Sequence, residues 1–229
     1  MNVGLLVVAT GKYKTFLNNL FKSADQFFLK GHNVTYYLFT DELQDIEFNR
    51  PVIQTIIEHK PWPYPTLLRY KYFSNNESIF NDIDYVYYVD SDMIFENIVG
   101  DEIFDDVVSV AHPWFIGNRG TPEDSKESLA YIPNQVNFQY TAGAFFGGKK
   151  ECMMNMFSFI SRQIDIDYSR GIIAKWHDES HSNKFFILYS TKMLSPEYCY
   201  NKQSPYCTNV TKWIPRIVQV VKNDNEIRS

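Results

Sequence analysis

The chain has 229 residues, a formal net charge of −5, a hydrophobic fraction of 45% and an aromatic fraction of 17%. That length buries a substantial core in one domain, and the apolar content excludes general disorder. The acidic balance excludes a general nucleic-acid binder, which needs clustered Lys and Arg. The three cysteines, Cys152, Cys199 and Cys207, lack paired short spacing. They exclude a zinc ribbon and a complete disulfide framework, and point to a reducing, cytoplasmic setting.

In chain order, Val3–Thr10 reads as a buried strand. It is too short to span a bilayer and lacks the basic flank of a signal peptide. Phe16, Leu17, Leu20, Phe21, Ala24, Phe27 and Phe28 recur at helical spacing until Gly31, and Val34–Phe39 reads as a second strand. Val52–Ile57 is a candidate third strand, Pro61–Pro65 breaks the chain, Thr66–Phe80 is read as a helix, and Tyr85–Val89 as a strand. This alternation predicts an α/β fold with a mostly parallel sheet covered by helices. The second half is less regular, with a polar loop over Gly117–Glu127, a Gly-rich segment at Ala142–Gly148, a short helix near Asp178–Tyr189 and a charged tail. Ligands of such sheets sit beyond the carboxyl ends of the strands, which directs attention to Thr10–Tyr13, Asp41 and Asp90–Asp92.

Asp90 and Asp92 follow the fourth strand with one serine between them. Period-two alternation turns both carboxylates to one side, where a divalent cation would relieve their repulsion. Carboxylate oxygens suit Mg²⁺ or Mn²⁺, and such an ion neutralises charge on a departing diphosphate. The plainer alternative is an ordinary Asp-Ser-Asp turn closing the strand.

Trp176-His177-Asp178-Glu179-Ser180-His181 admits three readings. His177 and His181 stand four apart, as zinc ligands of a hydrolase do, although Glu179 is out of step with that motif. Alternatively Asp178 and Glu179 complement the positive start of a helix. In the third reading the segment is a carbohydrate site, with Trp176 as a platform for a sugar face and Glu179 as a carboxylate near an anomeric carbon.

Further segments share an order. They are Val8-Ala-Thr-Gly-Lys-Tyr13, Tyr36-Tyr-Leu-Phe-Thr-Asp41, Asp90-Ser-Asp92, His112-Pro113, Ala130-Tyr-Ile-Pro133, Ala142-Gly-Ala-Phe-Phe-Gly-Gly148, Trp176-His-Asp-Glu-Ser180 with Asn183-Lys184, and Leu194-Ser-Pro-Glu-Tyr198. As an ordered set they resemble glycosyltransferase family 6, the family of the histo-blood group A and B transferases and the α-1,3-galactosyltransferases. The resemblance implies a GT-A fold and retaining transfer of galactose or N-acetylgalactosamine from a UDP-sugar to a galactoside-terminated glycan in α-1,3 linkage, with Mn²⁺ as cofactor and Mg²⁺ as a substitute. It implies one catalytic domain over residues 1–229, with 1–92 mainly holding the nucleotide, 93–215 the donor sugar and acceptor, and 216–229 acting as a C-terminal lid.

Roles follow by motif. The backbone of Val8, Ala9 and Thr10 would bond uracil, with Tyr13 stacked on the base. Arg69 would contact the donor and the first acid of the metal motif, Asp90 and Asp92 would hold the metal, and Asp90 would also lie near the ribose. Ala142, Gly143 and Ala144 match the segment that selects the donor sugar, Asp178 a donor-sugar contact, and Glu179 the carboxylate on the donor's β-face. His112 and Trp176 match acceptor contacts, with His177 in support, while Lys222 and Arg228 would close over the diphosphate.

Bacterial relatives commonly carry Asn-x-Asn at the metal motif, whereas this chain keeps both acids, so metal dependence is a specific expectation. The chain also has Trp114 where many members have a small residue, and its Gly117–Glu127 loop is short. With no membrane span before the first strand, it is expected to be a bacterial or viral-type member working in the cytoplasm.

Overall fold

A computed structural model describes the chain over residues 1–46, 48–209 and 213–228. The strands are β1 (Asn2–Ala9), β2 (Asn33–Thr40), β3 (Val52–Ile56), β4 (Tyr85–Val89), β5 (Met93–Phe95), β6 (Val107–Ala111), β7 (Thr141–Lys149), β8 (Lys192–Leu194) and β9 (Ile217–Gln219). The helices are α1 (Leu17–Phe27), α2 (Tyr64–Leu67), α3 (Arg69–Asn75), α4 (Lys150–Ser169), α5 (His177–Leu188), α6 (Pro205–Thr208) and α7 (Asp224–Ile227), with 3₁₀ turns between several of them.

Seven strands form one sheet in the order β3-β2-β1-β4-β7-β6-β8. Every neighbouring pair is parallel except the two that involve β7. Apolar side chains on both faces of β1 explain its central place, since parallel strands are buried on both sides. Val3, Leu5 and Val7 pack under α1, whereas Leu6 and Val8 share the opposite face with Tyr70 and Phe73 of α3 and Phe157 and Ile160 of α4. The expected mostly parallel, helix-flanked α/β architecture is the one observed.

One expectation needs correction. The span Thr66–Phe80 is not one helix but α2, α3 and a 3₁₀ turn at Glu77–Phe80. Asn76 leaves the helical region, with φ −114° and ψ 26°. Its side-chain amide donates to the Tyr72 carbonyl at 2.8 Å, taking over the role of a continuing backbone bond. The Gly-rich segment Ala142–Gly148 forms most of strand β7, inside the sheet. A Cβ on Gly147 would lie 2.2 Å from the Tyr87 ring, so glycine there permits close pairing with β4. Helix α4 went unread in the sequence, although Met153, Phe157, Ile160 and Ile164 mark one apolar face.

The topology gathers the site at one sheet edge. The carboxyl ends of β1, β4 and β6 lie there together with the start of β7, because Val89 pairs with Phe145 and Ala111 pairs with Thr141. The C-terminal segment returns to the same edge through the antiparallel β5–β9 pair, and the Val220 amide donates to the Asp92 carbonyl at 2.9 Å.

Candidate active site

A cleft of about 290 Å³ opens at this edge, lined among others by Val8, Thr10, Tyr13, Asp90, Asp92 and Lys222. Arg228, Trp62 and His59 also line it. Ala9 points its methyl into the core and is fully buried, so only its backbone is available to a ligand. Tyr13 follows β1 in a 3₁₀ turn, and the Lys222 ammonium lies 4.6 Å from its ring centroid. The Arg228 guanidinium lies 4.7 Å from the Trp62 ring centroid, so Lys222 and Arg228 both line the cleft.

Asp90 and Asp92 occupy the turn between β4 and β5. Asp90 Oδ1 accepts the Tyr88 hydroxyl at 2.6 Å and Arg69 Nη1 at 3.1 Å, and Asp92 Oδ2 is paired with Lys222. Burial, and then the Asp90 charge, push the Asp92 carboxyl upward against the pull of Lys222. Two hard carboxylates on one cleft wall suit a divalent cation whose remaining positions are filled by ligand oxygens and water. No group of three or more His, Cys, Asp or Glu is placed to hold a metal among the described residues. Asp90 and Asp92 are the two carboxylates that would hold such an ion, together with oxygens of its ligand.

Behind the cleft, Arg69 joins the metal-motif acid to α5. Its guanidinium pairs with Asp178 as well as Asp90 and lies 4.5 Å from the Tyr88 ring centroid. Burial pushes the Asp178 carboxyl up, and the Arg69 guanidinium pulls it back toward the ionised form. Glu179 follows in the first turn of α5. Its Oε2 accepts the Gly143 amide at 2.8 Å and its Oε1 accepts the Tyr140 hydroxyl at 2.9 Å. Burial pushes Glu179 up to about 7 despite both donors. Asn183, one turn on, ties α5 to β7 by donating to the carbonyls of Thr141 and Glu179, while its Oδ1 accepts the Thr141 amide.

The donor-segment residues divide by face. Gly143 faces the acids, where an added Cβ would stand 2.8 Å from Arg69 Nη2 and 3.3 Å from Glu179 Oε2. Ala142 is buried in the opposite core and Ala144 packs against that core while remaining partly exposed.

On the expected acceptor side, Trp176 is 46% exposed, and its indole N–H is held by the Thr121 hydroxyl at 2.8 Å and by the Thr121 carbonyl. The ring is thereby fixed while much of its surface stays open, as a sugar platform requires. His112 follows β6 and meets the Tyr140 ring with centroids 5.6 Å apart. Burial depresses His112 to about 4, so it is neutral. His177 has φ +51°, a left-handed conformation that is costly for a non-glycine residue, and its ring packs edge-on against Trp62 at 4.7 Å. His181 instead turns inward, 3.7 Å from Asp167. The two histidines have separate surroundings, which removes the basis for the zinc-hydrolase alternative.

Tyr88 and Tyr140 were missed as site residues. Tyr88 was accessible to alternation, which sets it on the same face as Asp90 two residues on. Tyr140 carried no local signal, because its partner Glu179 lies 39 residues away in sequence.

The family model described as Glycosyltransferase family 6 matches residues 1–229. The chain is 35% identical to histo-blood group ABO system transferase 2 of Rattus norvegicus over 239 residues, covering 99% of this chain and 71% of the relative. It is 30% identical to globoside alpha-1,3-N-acetylgalactosaminyltransferase 1 of Gallus gallus, covering 100% and 70% respectively. Alpha-1,3-galactosyltransferase 2 of Homo sapiens is 25% identical, with coverage of 97% and 71%. No helix among the described residues is long and apolar enough to cross a membrane. A match over the whole chain, on a fold whose strand ends assemble the family's motifs, makes this protein a hexosyltransferase that draws on a nucleotide-sugar donor and a glycan acceptor: it belongs to glycosyltransferase family 6.

Proposed function

We propose that the protein transfers galactose or N-acetylgalactosamine from a UDP-sugar to a galactoside-terminated glycan, forming an α-1,3 linkage with retention. The observation that carries this reading is the connected set Asp90–Arg69–Asp178 beside Glu179. It joins the diphosphate end of the cleft to a carboxylate restrained by two donors. The names of the relatives divide between the two sugars and support either donor.

In this reading the β1 end and Tyr13 receive the base. Asp90 and Asp92 would hold a Mn²⁺ ion, with Mg²⁺ as a substitute, and the ion would supply Lewis-acid neutralisation of the diphosphate. Lys222 and Arg228 contribute positive charge at the same end, and segment 216–229 serves as a lid that excludes water. Residues 1–92 form the nucleotide half and 93–215 the sugar and acceptor half, with Trp176 and His112 toward the acceptor. The three thiols support a reducing, cytoplasmic setting, none of them being in a disulfide among the described residues.

Glu179 sets a negative charge against the developing oxocarbenium-like centre. Both routes to retention, a glycosyl-enzyme on Glu179 or front-side attack with Glu179 as electrostatic support, require that carboxylate. The test is a donor-by-acceptor screen with linkage analysis, run with Mn²⁺, Mg²⁺ or excess chelator. An α-1,3-linked product formed only with a divalent ion is expected. A β-linked product would overturn retention, and undiminished turnover in chelator would remove the metal role of Asp90 and Asp92.

A further inference from the structure

Glu179 has two oxygens and two donors, and the donors differ in kind. Gly143 gives a backbone N–H, fixed by strand β7. Tyr140 gives a side-chain hydroxyl from the residue just before that strand. Tyr140 is fully buried and held on every side. Its amide donates to the Asn118 carbonyl at 3.1 Å, and its carbonyl accepts the His112 amide at 2.9 Å. Its ring meets those of His112 and Phe115 at 5.6 and 5.3 Å. Gly120, at φ +57°, lies so close that a Cβ there would come within 2.7 Å of the ring. A side chain packed this tightly against a carboxylate that it also hydrogen-bonds has little freedom to release it.

We propose that Tyr140 is a positioning residue for the transfer step, holding the Glu179 carboxylate in its reactive orientation and tying that orientation to the loop carrying His112 and Phe115. The inference rests on the reading of Glu179 as the β-face carboxylate. An ionised carboxylate only accepts hydrogen bonds, so removing the phenol leaves Oε1 without this donor and lets the group turn about the remaining Gly143 bond. Tyr140 does not act as an acid: burial, and then the Glu179 charge, push its phenol far above the ordinary range. The proton stays on the Tyr140 oxygen throughout the working pH range, and the hydroxyl is a constant donor. Positioning partners of this kind typically change rate by about 10–100-fold.

The test is Tyr140→Phe, which keeps the ring and its contacts and removes only the hydroxyl, measured alongside Glu179→Gln and the double variant. For Tyr140→Phe, kcat is expected to fall about 10–100-fold while KM for donor and acceptor changes by less than about threefold. The acidic limb of its pH profile should move to higher pH, since one group favouring the ionised carboxylate is lost. In the Glu179→Gln background the same change should cost little more, because the two act as a unit.

Full turnover by Glu179→Gln would overturn the reading of Glu179 itself. An impaired Glu179→Gln beside a Tyr140→Phe of unchanged rate and pH profile would overturn the Tyr140 role alone, as would losses that simply multiply in the double variant. If Tyr140→Phe does not fold, a fluorotyrosine at 140 keeps size and strengthens the donor. The acidic limb should then move to lower pH, and an unmoved limb overturns the inference.

Discussion

Arg69 and Asp178 form an ion pair almost wholly withdrawn from water, with side chains 4% and 3% exposed. Asp90, the third member, is the end of the network that reaches the cleft. Removing one partner of such a pair leaves an uncompensated buried charge, which costs about 3–5 kcal/mol. Arg69→Ala should lose about that much in urea unfolding at pH 8. Part of the loss should return at pH 5, where Asp178 takes up a proton, and Asp178→Asn should rescue stability in the Arg69→Ala background. Equal destabilisation at both pH values would show that the charge is not the cause.

Arg69 and Glu179 both crowd the position where a side chain on Gly143 would begin. Gly143→Ala would place a methyl 2.8 Å from Arg69 Nη2 and 3.3 Å from Glu179 Oε2. The expected outcome is a loss of transfer of about tenfold or more, because a small misplacement of reacting groups is costly. UDP affinity by calorimetry should stay close to wild type, since Gly143 does not line the nucleotide cleft.

Acidification should act through Glu179. With its carboxyl pushed up to about 7, kcat should fall about tenfold per pH unit below that value as the carboxylate is protonated. The stability effect has the opposite sign. A carboxyl raised above its ordinary value binds its proton more tightly in the folded state, so its contribution favours folding at low pH and is lost as pH rises through about 7. Glu179→Gln should therefore raise the midpoint of thermal unfolding at pH 8 and reduce the difference between pH 8 and pH 5. A variant no more stable than wild type at pH 8 would contradict the burial penalty.

Asn183 uses its whole amide, giving two hydrogen bonds to carbonyls and accepting from the Thr141 amide and hydroxyl. Asn183→Ala would strand buried backbone groups of Thr141, at about 1–3 kcal/mol for each group left unpaired. Thermal unfolding should show that loss, and turnover should drop with it because the Glu179 turn is no longer tied to β7. Wild-type stability would contradict the tie.

Local pattern alone made β1, β2 and β4 legible, because apolar runs between turn residues fit buried parallel strands. It also placed Asp90 and Asp92 at a strand end and Glu179 at a helix start, and the ordered motifs identified the family. Tertiary structure decided what those residues touch. Strand β7 was hidden by glycines that are useful only once Gly147 lies against Tyr87. Arg69, expected to contact the donor and Asp90, also pairs with Asp178 and so bridges the two acids from a buried position, and Tyr140 meets Glu179 because β7 packs beside α5. The tail reaches Asp92 only through the pairing of β5 with β9. Periodicity is a property of neighbours along the chain and reports which face is buried. The second donor on Glu179 and the cation beside Asp92 come from residues far away in sequence, brought in by packing that no local pattern encodes.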